Sequence, residues 1–142
     1  MISSAIPRDA RLLVAVNGAY GRRIAQMARV HDIDLETLDI PENRRITAHA
    51  VAERLSGSGF THVAAIHCET TTGIVNPLEE IGAVVANAGA AFIVDAMSSF
   101  RAIPPLARDR ACGLRHIVGQ QVRGRRPRVR VHSGTAGCAP RS

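Results

Sequence analysis

The sequence of 142 residues is 46% hydrophobic, enough apolar side chain for the core of one domain. It holds no run of about eighteen apolar residues, which excludes a membrane-spanning helix, and its start, "MISSAIPRDARLL", lacks the charged-then-apolar order of a signal peptide. The net charge of +6 is unevenly spread: residues 1–104 carry nine arginines against eleven acids, residues 105–142 carry nine arginines against Asp109 alone, and lysine is absent throughout.

"RLLVAVN" (residues 11–17) is an apolar run of strand length. In "AYGRRIAQMARVHD" (19–32), Ile24, Met27 and Ala28 recur at helical spacing with arginines opposite, which predicts an amphipathic helix. "DLETLDI" (34–40) alternates as a strand does, and "ITAHAVAERL" (46–55) predicts a helix closed by "SGSG". "THVAAIHCE" (61–69) reads as a buried strand running into the polar turn "TTTGIV". The next helix is signed by Asn76 as N-cap, Pro77 at the first helical position and Glu79 and Glu80 in the first turn, and it ends near "NAGA". "AFIVDAM" (91–97) is a further buried strand. Apolar strands alternating with amphipathic helices predict an α/β fold, a parallel sheet covered on both faces. After Pro104 the period is lost. Residues 105–142, rich in Arg, Gly and Pro, read as a disordered basic tail beside a single domain at 1–104.

Open α/β sheets keep their ligands at the carboxyl ends of the strands, and three predicted strand ends carry suitable groups. Asp95 follows "FIV"; a carboxylate there pairs with a protonated ring nitrogen, or caps the next turn. Thr70 opens "TTTG", where hydroxyls and backbone N–H groups hold a phenolic oxygen or a phosphate, or serve an ordinary turn. Tyr20, the only tyrosine, lies in "NGAYG" at a strand-to-helix turn, where its ring stacks on a flat ligand or packs on the protein. His67 and Cys68 are adjacent, and neighbours in a strand face opposite ways, so they do not form a nucleophile–base pair; Cys68 reads as a small buried hydrophobe. The three cysteines (Cys68, Cys112, Cys138) and the scattered histidines share no metal-type spacing, which points to a reduced, cytoplasmic protein without a metal site. The basic tail suits nucleic acid by charge but has no aromatic residue to stack on bases, so a solvated tail is the favoured reading.

Taken together and in this order, "NGAYG", "HCETTTGIVNPLEEIG" and "FIVDAMSSF…IP" resemble, over about residues 5–104, the 2-aminoethylphosphonate–pyruvate transaminase family, pyridoxal-phosphate enzymes of the class V aminotransferases. The resemblance implies the type I, aspartate-aminotransferase-like fold, of which this chain would hold part of the large domain. It implies pyridoxal 5'-phosphate as cofactor and a homodimer. The implied reaction moves the amino group of 2-aminoethylphosphonate to pyruvate, giving phosphonoacetaldehyde and alanine. On the matching positions, Asp95 corresponds to the carboxylate at the pyridinium nitrogen, Thr70 to the hydroxyl beside the phenolic oxygen, and Tyr20 to the aromatic stacked on the ring. No role carries over to His67 or Glu69.

The departures bear on activity. On the resemblance, the family's substrate-binding N-terminal segment, its phosphate-holding turn and its small domain are expected to have no counterpart in these residues, and Arg101 takes the place of a glycine in "SSFG". The Schiff-base lysine belongs about twenty-five residues after Asp95, near Gln121, and glutamine cannot form that covalent bond, so the chain is expected to be inactive. Back-translation of Ala111–Gly134, read one base later, fixes two bases of each codon and admits "HVDYVISSANKCVEGVPGFGFILA", which resembles the family's lysine-bearing segment. A frame shift between about Pro104 and Ala111 would account for the charge break, the arginine excess and the lost period together. Two other readings stay open: a different class V aminotransferase such as an alanine–glyoxylate type, and a non-enzymatic domain whose tail binds nucleic acid.

Overall fold

The computed structural model describes residues 6, 7, 9–99, 116–120 and 128–132. Four strands, β1 (Arg11–Val16), β2 (Asp34–Asp39), β3 (His62–Ile66) and β6 (Ala91–Asp95), form a sheet in the order β2-β1-β3-β6. All three pairings are parallel, with Leu12 beside both Leu35 and His62, and Ile66 beside Asp95. Helices α1 (Ala19–Val30), α2 (Ala48–Leu55) and α3 (Leu78–Asn87) make the crossovers. Between β3 and α3 the two-residue strands β4 (Cys68–Glu69) and β5 (Ile74–Val75) pair antiparallel.

The sheet is covered on both faces, as the sequence predicts, and the alternation of side chains along each strand divides the core. Leu12, Val14 and Val16 of β1 face Ile24, Ala25 and Ala28 of α1, together with Ala64, Ile66 and Ile93. Leu13 and Ala15 face the other way, where Val63, Phe92 and Val94 meet Val51 and Leu55 of α2 and Ile81 and Val85 of α3. Each large side chain buried this completely contributes roughly 1.5–3 kcal/mol. At the β2 edge Glu36 is held by Arg11, at 2.5 Å, and by Arg54 of α2.

Several local expectations are corrected. Met27 is not on the buried face of α1 but 38% exposed; the stripe against the sheet is Gly21, Ile24, Ala25 and Ala28, whose small members let the helix lie close. The strand expected over 61–69 stops at Ile66. His67 still donates its N–H to the Asp95 carbonyl, but its own carbonyl accepts from Asn76, and Cys68–Glu69 turns off to pair with β5. Asn76 does not cap α3 with its side chain: the cap position is Pro77, and the Asn76 amide points inward. Thr47, by contrast, caps α2 by accepting from the Ala50 N–H at 3.2 Å.

Within the basic segment, β7 (His116–Gln120) and β8 (Arg128–His132) pair antiparallel where the sequence predicts no element. The remainder of the expected tail, with Cys112, Gln121 and Cys138, lies outside the described residues, as does Arg101 before it. None of the described helices is long and apolar enough to cross a membrane.

Candidate functional site

The carboxyl ends of the adjacent strands β1, β3 and β6 deliver Tyr20, the turn containing Thr70, and Asp95 to one edge of the sheet. Asp95 closes β6, opposite Ile66 of β3. Its Oδ1 accepts the Met97 N–H at 3.0 Å, the local cap that sequence reading allowed as the alternative role, and its other oxygen takes no hydrogen bond among the described residues. Burial raises the Asp95 carboxyl above the ordinary aspartate range; the Met97 N–H opposes this, and the charge of Glu69 adds to it. Tyr20 lies in the first turn of α1 and is 42% exposed, so it is not a core residue. Thr70 is exposed in the turn after β4. No hydrogen bond joins Tyr20, Thr70 and Asp95 to one another among the described residues; they share an edge, not a network.

The network beside them is built from Glu69 and Asn17, to which no role was assigned from sequence, and from Asn76, expected there only as a helix cap. Glu69 is fully buried. Its carboxylate accepts the Tyr20 N–H, at 3.2 Å to Oε2 and 3.4 Å to Oε1, and the Thr71 hydroxyl at 2.9 Å. Asn17 and Asn76, both 1% exposed, bond amide to amide at 2.9 and 3.2 Å. Asn76 also donates to the Ile66 carbonyl at 2.9 Å and accepts from the Ile46 N–H at 3.0 Å, while Asn17 donates to the Arg44 carbonyl at 3.1 Å. Two amides therefore tie the end of β1, the end of β3, the loop before α2 and the approach to α3 into one floor. No buried side-chain polar atom among the described residues lacks a partner.

His67 Nδ1 lies 2.7 Å from the hydroxyl of Ser99, which is 3% exposed. Burial lowers the His67 imidazole below its usual range and favours the neutral ring. Ser98 donates to the Cys68 carbonyl at 3.4 Å. Cys68 is half-buried rather than a core hydrophobe, and the described residues hold no cluster of His, Cys, Asp and Glu able to take a metal ion.

Residues 3–116 match the family model of class-V aminotransferases. The chain belongs to the class-V aminotransferase family. The match begins near the start of the sequence and ends beyond Pro104, inside the basic segment. A 2-aminoethylphosphonate–pyruvate transaminase of Pseudomonas fluorescens is 50% identical over 110 residues, which cover 76% of this chain and 30% of that one. Its counterpart in Lysinibacillus sphaericus is 45% identical over 105 residues, covering 73% and 29%. The chain thus spans about 30% of the length of these relatives. Among solved structures, pyridoxamine–pyruvate aminotransferase from Mesorhizobium loti aligns with a TM-score of 0.74 at 32% identity, over 82% of this chain and 30% of that one. An alanine–glyoxylate aminotransferase from Nostoc aligns with a TM-score of 0.74 at 25% identity, over 90% and 34%. The fold is the type I pyridoxal-phosphate fold that the sequence resemblance implies, and the cofactor of class-V aminotransferases is pyridoxal 5'-phosphate.

The residues present fit one half of that cofactor. A half-buried carboxylate with one oxygen uncommitted among the described residues, and an exposed aromatic ring on the same edge of the sheet, suit the protonated nitrogen and the face of a pyridine. The covalent half does not fit, because the sequence contains no lysine to form the imine.

Proposed function

We propose that this chain carries the ring-binding half of a class-V aminotransferase cofactor domain, and that the parent activity is transfer of the amino group of 2-aminoethylphosphonate to pyruvate in a cytoplasmic homodimer. The observation that carries the reading is Asp95, a carboxylate kept half-buried at a parallel strand end with one oxygen free of hydrogen bonds among the described residues. Asp95 would hold the ring nitrogen, Tyr20 would lie against the ring face, and Thr70 would sit beside the phenolic oxygen. When bound, the cofactor supplies an electron sink for carbanion chemistry. This chain's own residues hold and orient the ring and do no more; without lysine, neither attachment nor proton transfer to a substrate carbon follows.

The relatives at 45–50% identity are 2-aminoethylphosphonate–pyruvate transaminases, against 25% for the alanine–glyoxylate enzyme, which favours the phosphonate reaction over the alternative. Nucleic-acid binding by the tail has no comparable support. We further propose that residues from about 105 onward are the family's lysine segment in a shifted reading frame, on the strength of the codon fit at Ala111–Gly134.

Binding of pyridoxamine 5'-phosphate, which needs no lysine, tests the ring site. The chain has one tyrosine and no tryptophan, so its fluorescence reports Tyr20. Quenching on titration is expected, with at least about tenfold weaker binding in Asp95→Asn, the loss of one charge-assisted hydrogen bond. Equal affinity in the two proteins would remove Asp95 from the site.

A further inference from the structure

We propose that Glu69 is the positioning residue of this site: its buried carboxylate holds the first turn of α1 and so sets the Tyr20 ring at the end of β1. The proposal rests on the ring-binding reading above.

Glu69 sits in a two-residue strand, where the sheet has no need of a charge, yet it is fully buried. The cap position of helix α1 is Gly18, which offers no capping side chain, and the first turn contains no acid. The orphan N–H groups of a helix start need an acceptor, and Glu69 brings one from another strand to the N–H of Tyr20 itself. A carboxylate at that place also meets the positive end of the helix dipole. Thr71 clamps the same carboxylate from within its own turn. The neighbouring glycine completes the fit: a Cβ on Gly18 would lie 2.3 Å from both Glu69 Cδ and Cγ, so absence of a side chain at 18 is what admits the carboxylate. Gly18 has an extended φ of 174°, so space rather than backbone conformation demands glycine there. Glu69 therefore holds one proposed ring contact, Tyr20, by that residue's backbone N–H and acts on another, Asp95, through its charge.

A residue that only capped a helix would change stability alone. A positioning residue changes the surroundings of the Tyr20 ring and the ionisation of Asp95. The test uses the full chain and compares wild type, Glu69→Gln and Glu69→Ala without ligand. Glutamine keeps an oxygen acceptor and drops the charge; alanine drops both. In Glu69→Gln, Tyr20 emission and its quenching by acrylamide should stay near wild type, while the Asp95 carboxyl, followed by NMR, titrates at lower pH. In Glu69→Ala the Tyr20 amide should exchange about tenfold faster, as for loss of one hydrogen bond, and acrylamide quenching should change. Unchanged exchange and quenching in Glu69→Ala would overturn the proposal. If Glu69→Ala does not fold, Gly18→Ala takes its place: by displacing the carboxylate it must alter Tyr20 quenching, and wild-type quenching in that variant overturns the proposal equally. The ligand arm separates the two ideas. If wild type does not bind pyridoxamine 5'-phosphate, the ring-binding reading fails, while the ligand-free measurements still decide whether Glu69 sets Tyr20. If wild type binds and Glu69→Ala binds as tightly, with the same quenching, only the positioning role falls.

Discussion

Asp95 is held where a carboxylate is poorly placed for stability. Burial raises its folded-state value above that of the unfolded chain. For a group shifted in this direction, the stabilising contribution is complete below the ordinary aspartate range and is lost as pH rises through the raised value. At neutral pH the charged side chain is therefore a net cost. Asp95→Asn, which can still accept the Met97 N–H, should melt at a higher temperature than wild type near neutrality, and the difference should vanish in acid; thermal melts from about pH 3 to pH 7 span the window. A less stable Asn variant at neutral pH would mean that the carboxylate serves the fold. The place of Asp95 at a strand end was legible in the sequence, because it directly follows an apolar run of strand length. Glu69 and Asn76 were not. An Asn before Pro-Leu-Glu-Glu reads as a cap whether its amide turns out to the helix or in to the Ile66 carbonyl, and only the tertiary partner decides.

Two helices end in the same way with different residues. At the end of α3, Gly89 has φ 71° and its N–H bonds the Ala86 carbonyl at 3.0 Å, while Ala90 reaches Val85 at 3.1 Å. At the end of α1, Asp32 takes the equivalent place with φ 54°; its N–H bonds the Arg29 carbonyl at 3.1 Å, and Ile33 reaches Ala28 at 3.2 Å. Both are the paired-bond helix ending that favours glycine. An L-residue with a side chain is strained in that region. Asp32→Gly is therefore expected to raise stability by up to about 1 kcal/mol, and Gly89→Ala to lower it by about 1 kcal/mol or more, read from chemical denaturation midpoints. A loss of stability in Asp32→Gly would show that the Asp side chain contributes more than its backbone costs. The helices themselves were readable from apolar spacing, but the face of α1 was misread at Met27. Spacing judged by large apolar residues overlooks Gly21 and Ala25, whose value to the packing lies in their smallness.

For the molecule as a whole, the parallel sheet followed from apolar strands alternating with amphipathic helices. The order β2-β1-β3-β6 was not legible, because strand neighbours depend on the hand and length of each crossover and not on any one strand's composition. The chain covers about 30% of its transaminase relatives. Whether the lysine segment survives in another frame is a question for the coding DNA from the Ser98 codon to well past the stop. The expected result is a shifted frame that spells the lysine segment and runs on into a further domain. A shifted frame that stops early would return the basic residues to the protein as its own.

Of the three described helix starts, two are already supplied with a side-chain oxygen. Glu69 serves α1 and Thr47 serves α2, while α3 has no side-chain cap but carries Glu79 and Glu80 in its first turn. A phosphate arriving at α1 or α2 would meet a resident acceptor, and at α3 two charges of its own sign. The described helix starts, then, give selectivity for the phosphorylated form of the vitamin no seat. Pyridoxamine with and without its phosphate should bind this chain with the same affinity, and a preference for the phosphorylated form would locate an anion pocket away from the helix starts.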